Sequence, residues 1–211
     1  MGDYLTVERT PQGDIKYIGS PSEGVYKRVM EEGEPEETTL YDGSDGDPTV
    51  VWFDPGGVTG WAVFSVHPDS LLDPEVPILS NVTHKAWGHL TGTEFSQVDQ
   101  MLDLAREWPG AALGQEDFIL RQYNMGRELL APVRLSAAFR YGVGRGRKVW
   151  LQQPALAKTT ITDVRLKQIG YYAQTEAMPH ARDAIRHTLT FLKRLKTQRN
   201  LLKEVFPALL L

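Results

Sequence analysis

The sequence predicts an α/β domain whose strands begin as an antiparallel set and then alternate with helices. Three observations carry that prediction. A β-branched and aromatic run, Thr49 to Asp54, is parted by Pro55-Gly56-Gly57 from a second apolar run, Gly60 to Val66, the pattern of a β-hairpin. Helical spacing at Phe95, Val98, Met101, Leu102 and Ala105 is followed by a short apolar run, Ala111 to Phe118, that ends in two acids. A long amphipathic segment, Pro179 to Gln198, comes last.

Taken in order, residues 1–48 form an acidic N-terminal extension, with twelve acids against four Lys or Arg and a net charge of −8. Glu31 to Glu37 is acidic and contains proline, and Asp42 to Pro48 is an Asp/Gly linker. Ile15 to Ile18 has the pattern of a short strand, and the rest of the extension is expected to lack regular structure. The core begins at Thr49. Its first strand ends at Asp54 and its second runs from Gly60 to Val66. Pro68, Pro74 and Pro77 make residues 67–80 a loop, and Asn81 to Trp87 reads as a third strand. Thr93, with Ser96 behind it, caps a helix that stops before Pro109. Gly126 to Tyr141 reads as a helix with Leu129, Leu130, Val133, Leu135 and Ala138 on its apolar side. Val149 to Leu151 is a further strand. The domain is expected to span 49–200, followed by an apolar C-terminal tail, 201–211, which either folds back on the domain or meets a partner.

The 211 residues suit one well-packed domain plus an extension. No apolar run is long enough to span a membrane, and Met1 to Glu8 lacks the pattern of a secretory signal. The absence of cysteine excludes disulfides and thiolate zinc sites and is consistent with a cytoplasmic setting. The net charge of −4 hides an asymmetry, because residues 121–203 hold seventeen Lys or Arg against four acids, a net +13. Such a basic half is the footprint of a polyanionic partner, the alternative being solvated helix faces.

Asp54 stands where a buried strand meets a glycine-rich turn, so its carboxylate is held rigidly and faces a cleft. A buried carboxylate needs a donor or a metal. The last helix carries His180, Asp183 and His187 on one face, and Ile185, Leu189, Leu192 and Leu195 on a neighbouring apolar stripe. Arg182, Arg186 and Lys193 lie on a third face, suited to phosphates. Asp54, Glu116 or Asp117, Asp183 and His180 together make a hard-ligand set of the type that holds Mg²⁺, and two such ions about 4 Å apart support phosphodiester hydrolysis.

These motifs resemble the RuvC family of Holliday-junction resolvases, within the RNase H-like superfamily. Asp54-Pro55-Gly56 with Thr59-Gly60-Trp61 is similar to the first-strand signature of that family. Glu116, ahead of Phe118 and Arg121, is similar to its acid at the end of the fourth strand, and strand alternation favours Glu116 over the adjacent Asp117. Lys158-Thr159-Thr160 resembles a basic segment near the DNA backbone, and His180-Ala181-Arg182-Asp183 the final-helix motif. Many members have Asp where His180 stands, and some have His.

The resemblance covers about residues 49–197. It implies an RNase H-like fold, with a mixed five-stranded sheet flanked by helices. It also implies a homodimeric endonuclease that cleaves branched DNA, the four-way junction foremost, with two Mg²⁺ ions per site and Mn²⁺ able to substitute. Asp54 would bridge the metals, Glu116 and Asp183 would each hold one, and His180 would ligate a metal or orient the attacking water. Arg127, Arg134, Arg145, Arg147, Lys148, Lys158, Arg165 and Lys167 would line the DNA path. A small enzyme of this kind would fit a bacterial virus acting in its host's cytoplasm. The other readings are a nuclease of the same fold acting on forks, flaps or hybrids, and a DNA-binding protein of this fold without catalysis.

Overall fold

The computed structural model describes residues 46–118, 130–144 and 146–210, together with the backbone of two short strands. Those strands, β1 (Thr6–Arg9) and β2 (Ile15–Ile18), pair antiparallel as a separate ribbon. The main sheet grows around β3 (Thr49–Asp54), which is buried along its whole length. A strand covered on both faces needs a near-continuous apolar run, and Val50, Val51, Trp52 and Phe53 supply one. Around it lie β4 (Thr59–Val66), β5 (Val82–Leu90), β6 (Ala112–Glu116) and β7 (Val149–Gln152), in the spatial order β5-β4-β3-β6-β7. The β3–β4 and β4–β5 pairs are antiparallel, whereas β3–β6 and β6–β7 are parallel. Helices cover both faces, so the expected mixed five-stranded sheet flanked by helices is present.

Alternation along the strands divides the core into two layers. Val51, Phe53, Trp61, Val63 and Leu113 pack with Met101 and Leu104 of α2 (Glu94–Glu107) and with Phe139 of α3 (Ala131–Val143). Val50, Trp52, Ala62, Phe64 and Ala112 face the opposite layer, dominated by α7 (Pro179–Thr197). Between β7 and α7 the chain makes three short helices, α4 (Pro154–Thr160), α5 (Asp163–Gln168) and α6 (Tyr171–Gln174), whose Leu166 and Tyr171 join this second layer. Trp52 lies over the neighbouring strand so closely that a Cβ at Gly114 would sit 2.1 Å from its ring. Glycine is therefore required at that point of β6.

Several boundaries differ from the sequence reading. Residues 67–80 contain a four-residue helix, Asp69–Leu72, and a 3₁₀ turn begins at Ile78. Strand β5 extends three residues past Trp87, because Gly88, His89 and Leu90 continue the ladder with β4. Thr93 caps α2 as expected, its hydroxyl accepting from the Ser96 amide at 3.2 Å. Helix α3 begins at Ala131, with Pro132 in its first turn, and residues 126–129 lie outside the described residues. Its buried stripe is Ala131, Leu135 and Phe139, while Ala138 is exposed. The 201–211 segment is not a free appendage in residues 201–210. Helix α8 (Arg199–Val205) and the turn after it place Leu202 and Phe206 in the α7 layer.

Phe206 is fully buried, so Phe206→Ala removes its contacts with that layer. The expected loss of unfolding free energy is about 3–5 kcal/mol, read as a lower urea midpoint. A change below about 1 kcal/mol would show that this segment does not pack as described.

Candidate active site

Strand alternation selects the residues that meet. On β3, β6 and β7 the even-numbered Val50, Trp52, Ala112 and Trp150 face α7, and the odd-numbered Val51, Phe53, Leu113 and Val149 face α2 and α3. Continuing that alternation to the carboxyl ends of three adjacent strands puts Asp54, Glu116 and Gln152 on the α7 face. Glu116 and Gln152 are register partners. Gln115 points the other way, to Ser136 of α3. Of the two adjacent acids, Glu116 is thus the one whose side chain meets α7.

The start of α7 crosses these strand ends at close range. A Cβ on Gly60 would lie 2.1 Å from the His180 carbonyl carbon and oxygen, and one on Gly56 would lie 3.2 Å from the His180 ring. These two glycines let the helix backbone and the imidazole settle onto the β3–β4 turn. The turn is also tied from the other layer. Thr59 donates its hydroxyl proton to Gln97 Oε1 at 2.7 Å, and Gln97 Nε2 donates to the Gly57 carbonyl at 3.0 Å.

His180 Nδ1 lies 2.8 Å from Asp54 Oδ2. Burial pushes the Asp54 carboxyl up to about 6, since ionisation there forfeits hydration; the His180 bond opposes the shift and the charges of Glu116 and Asp183 add to it. His180 is raised in turn, first by its hydrogen bond to Asp54, against the opposing effect of its own burial. Glu116 Oε2 is 3.0 Å from Nε2 of His187, whose side chain is 1% exposed. Burial works to raise Glu116, yet the His187 bond, its proximity and a bond to Asp54 together hold the carboxyl below the usual range. Asp183 sits in an ion pair with Arg186 and has Lys158 Nζ 3.4 Å from Oδ2.

The four expected residues, Asp54, Glu116, His180 and Asp183, therefore occupy one end of the sheet and are coupled electrostatically. Among the described residues no three of His, Asp and Glu form a ready metal cage. The carboxylates are instead held by imidazole or cationic partners. The donor chemistry still fits a hard divalent cation, because a dehydrated carboxylate flanked by two more acids is the environment that such an ion relieves.

Gln97, which braces the turn, and Gln152, which braces α7, carry no signal in the sequence, and Arg186 is buried rather than displayed. The Arg186 guanidinium reaches Asp183, Asp163 and, at 2.8 Å, the Ile161 carbonyl. This corrects its placement on a phosphate-facing side of α7. Beside it an open cleft of about 560 Å³ is bordered by Lys158, Arg182 and Asp183.

The expected DNA-path cations separate by position. Lys158 on α4 and Arg165 and Lys167 on α5 follow the carboxyl end of β7, the end that carries the acids. Arg134 is at the same end but ion-paired with Glu94. Arg147 and Lys148 precede β7 and so lie at the opposite end of the sheet. Arg147 donates to the carbonyls of Ala105, Trp108 and Ala111, bonds that lock the entry to β6, which corrects its assignment to the DNA path. Lys148 pairs with Glu204 at 2.5 Å and stacks on Trp150. Arg127 and Arg145 lie outside the described residues.

Two solved structures of Thermus thermophilus RuvC are similar to this chain. One, in complex with Holliday junction substrate, is 16% identical with a TM-score of 0.47, over 71% of this chain and 96% of that one. The other is 16% identical with a TM-score of 0.35, over 54% of this chain and 68% of that one. No family model and no curated protein matches the chain.

The Asp54–His180 contact makes a prediction for the metal-free protein. Because the bond to Asp54 raises the imidazole, Asp54→Asn should lower the His180 pKa toward that of a free imidazole. Histidine ring NMR resonances followed between pH 5 and 9 would read this, and an unchanged His180 titration would show that the contact does not form.

Proposed function

We propose that this protein is a metal-dependent endonuclease that cleaves branched DNA, the four-way junction being its leading substrate. The observation that carries the reading is the shared face of Asp54 and Glu116 on adjacent strands, with His180 and Asp183 brought over them by one helix. That arrangement joins the motifs that resemble the RuvC family into a single site.

The residues that would hold two Mg²⁺ ions, or Mn²⁺ in their place, are Asp54 as the ligand shared by both, Glu116 and Asp183 as the ligand of one each, and His180. Bound there, such ions would supply an activated water and charge stabilisation at the leaving oxygen. The chain's own residues do the rest. Asp54 presents a carboxylate whose solvation has been removed in advance, so little reorganisation accompanies its use. His180 is placed to orient the attacking water or take its proton, and only the neutral ring can accept. Lys158 beside Asp183, with Arg165 and Lys167 on the next helix, forms the start of a phosphate-binding track. A homodimer with two such sites matches the two-fold symmetry of a junction and allows paired cuts. Among the described residues no helix is long and apolar enough to cross a membrane.

The decisive experiment is cleavage of a labelled four-way junction beside a matched duplex and a fork, with Mg²⁺ and with chelator. Paired, symmetric nicks in the junction alone are the expected result. Full cleavage in chelator would refute the metal-dependent reading, and preference for forks or flaps would move the protein to another substrate class. Asp54→Asn should bind the junction and cut it at least about a thousandfold more slowly, the cost of losing several kcal/mol of transition-state stabilisation. Glu116→Gln should be far slower than Asp117→Asn, and the reverse order would shift the site by one residue.

A further inference from the structure

Glu116 does not stand alone at its strand end. Its Oε2 is met by the Nε2 of His187, one turn beyond Asp183 on α7. That imidazole is enclosed. Its ring lies parallel to Trp52, with centroids 5.7 Å apart and planes 5° apart, and Gln152 closes the other edge. The Gln152 amide nitrogen is 2.9 Å from His187 Nδ1 and 3.3 Å from the His187 carbonyl. A nitrogen facing a carbonyl donates, so Nδ1 accepts and the ring hydrogen sits on Nε2, aimed at Glu116.

We propose that His187 is a positioning residue for Glu116: a buried imidazole, locked by Gln152 as the Nε2–H tautomer, that fixes one carboxylate oxygen and leaves the other to face Asp54 and a divalent cation. The inference rests on the metal-dependent reading above and adds to it the part of the chain that orients a ligand. Its physical basis is the general one for metal sites, in which a partner hydrogen bond sets the direction of the ligating group. Three independent contacts hold the ring: the parallel stack on Trp52, the Gln152 bond and the Glu116 bond. A ring needed only to fill space between α7 and β3 would not require a donor on one edge and an acceptor on the other. Gln152 reaches it because β7 is the register neighbour of β6, so the lock and the locked carboxylate come from paired strands.

The test is Mn²⁺ binding to the full chain without DNA, followed by electron paramagnetic resonance. His187→Phe keeps an aromatic ring against Trp52 and removes the donor. Its Mn²⁺ dissociation constant should rise about tenfold or more. His187→Gln carries an amide donor to nearly the Nε2 position and should stay within about threefold of the unaltered chain. A folded His187→Phe with unaltered affinity overturns the inference, and so does equal loss in both variants. Should His187→Phe fail to fold, Gln152→Met supplies the test. It frees the tautomer and should weaken Mn²⁺ binding about threefold to tenfold, and no change there overturns the proposal. Absence of Mn²⁺ binding in the unaltered chain overturns the metal-dependent reading and this inference with it. Binding that survives loss of the donor overturns this inference alone.

Discussion

The structure depends on a carboxylate placed where water has been excluded. Asp54 is 6% exposed and terminates a strand that is covered on both sides. An ionisable group in that position cannot be left unsupported, because burial of an unpaired charge costs several kcal/mol. Much of the surrounding architecture is what such support requires. Gly56 and Gly60 remove the side chains that would hold α7 away, His180 arrives as the partner, and Gln97 pins the turn from the opposite layer. The same helix that solvates Asp54 seals the core with Ile185, Leu189 and Leu192, so packing and chemistry share one docking event.

Much of this was legible in the residues. The Thr49–Asp54 run followed by Pro-Gly-Gly announces a buried strand and a turn, since few other structures tolerate that order. The spacing of His180 and Asp183 puts both on one face of a helix. On α3 the expected Leu135 is buried, but Ala138 is exposed and the neighbouring Phe139 takes its place, because Pro132 marks the first turn and sets the phase of the stripe. His187 shares a face with His180 and Asp183, but its ring is bonded by Gln152, thirty-five residues earlier in the chain. No local pattern reports a contact of that kind.

Charge counting failed in an instructive way. The basic half of the chain is real, yet Arg186 is buried and Arg147 half-buried, and the two hold carboxylates and carbonyls in place. Guanidinium suits that task because its donors are fixed in a plane and can serve several acceptors at once. Lys158, Arg165 and Lys167, which follow β7, sit at the end with the acids, while Arg147 and Lys148, which immediately precede it, sit at the other end. Strand direction, which composition does not carry, separates the two groups.

Asp54 and His180 are 126 residues apart in the chain, and the helix that joins them follows every strand of the main sheet. A ribosome making this protein exposes β3, β4 and β6 well before α7 exists to cover them. Until then the sheet lacks one of its two apolar layers, and Asp54 lacks its partner. Such long-range closure is slow compared with local helix formation. The cluster around Asp54 forms only when α7 has left the ribosome and folded back, so a chain cut short before α7 would have neither a sealed core nor the Asp54–His180 contact.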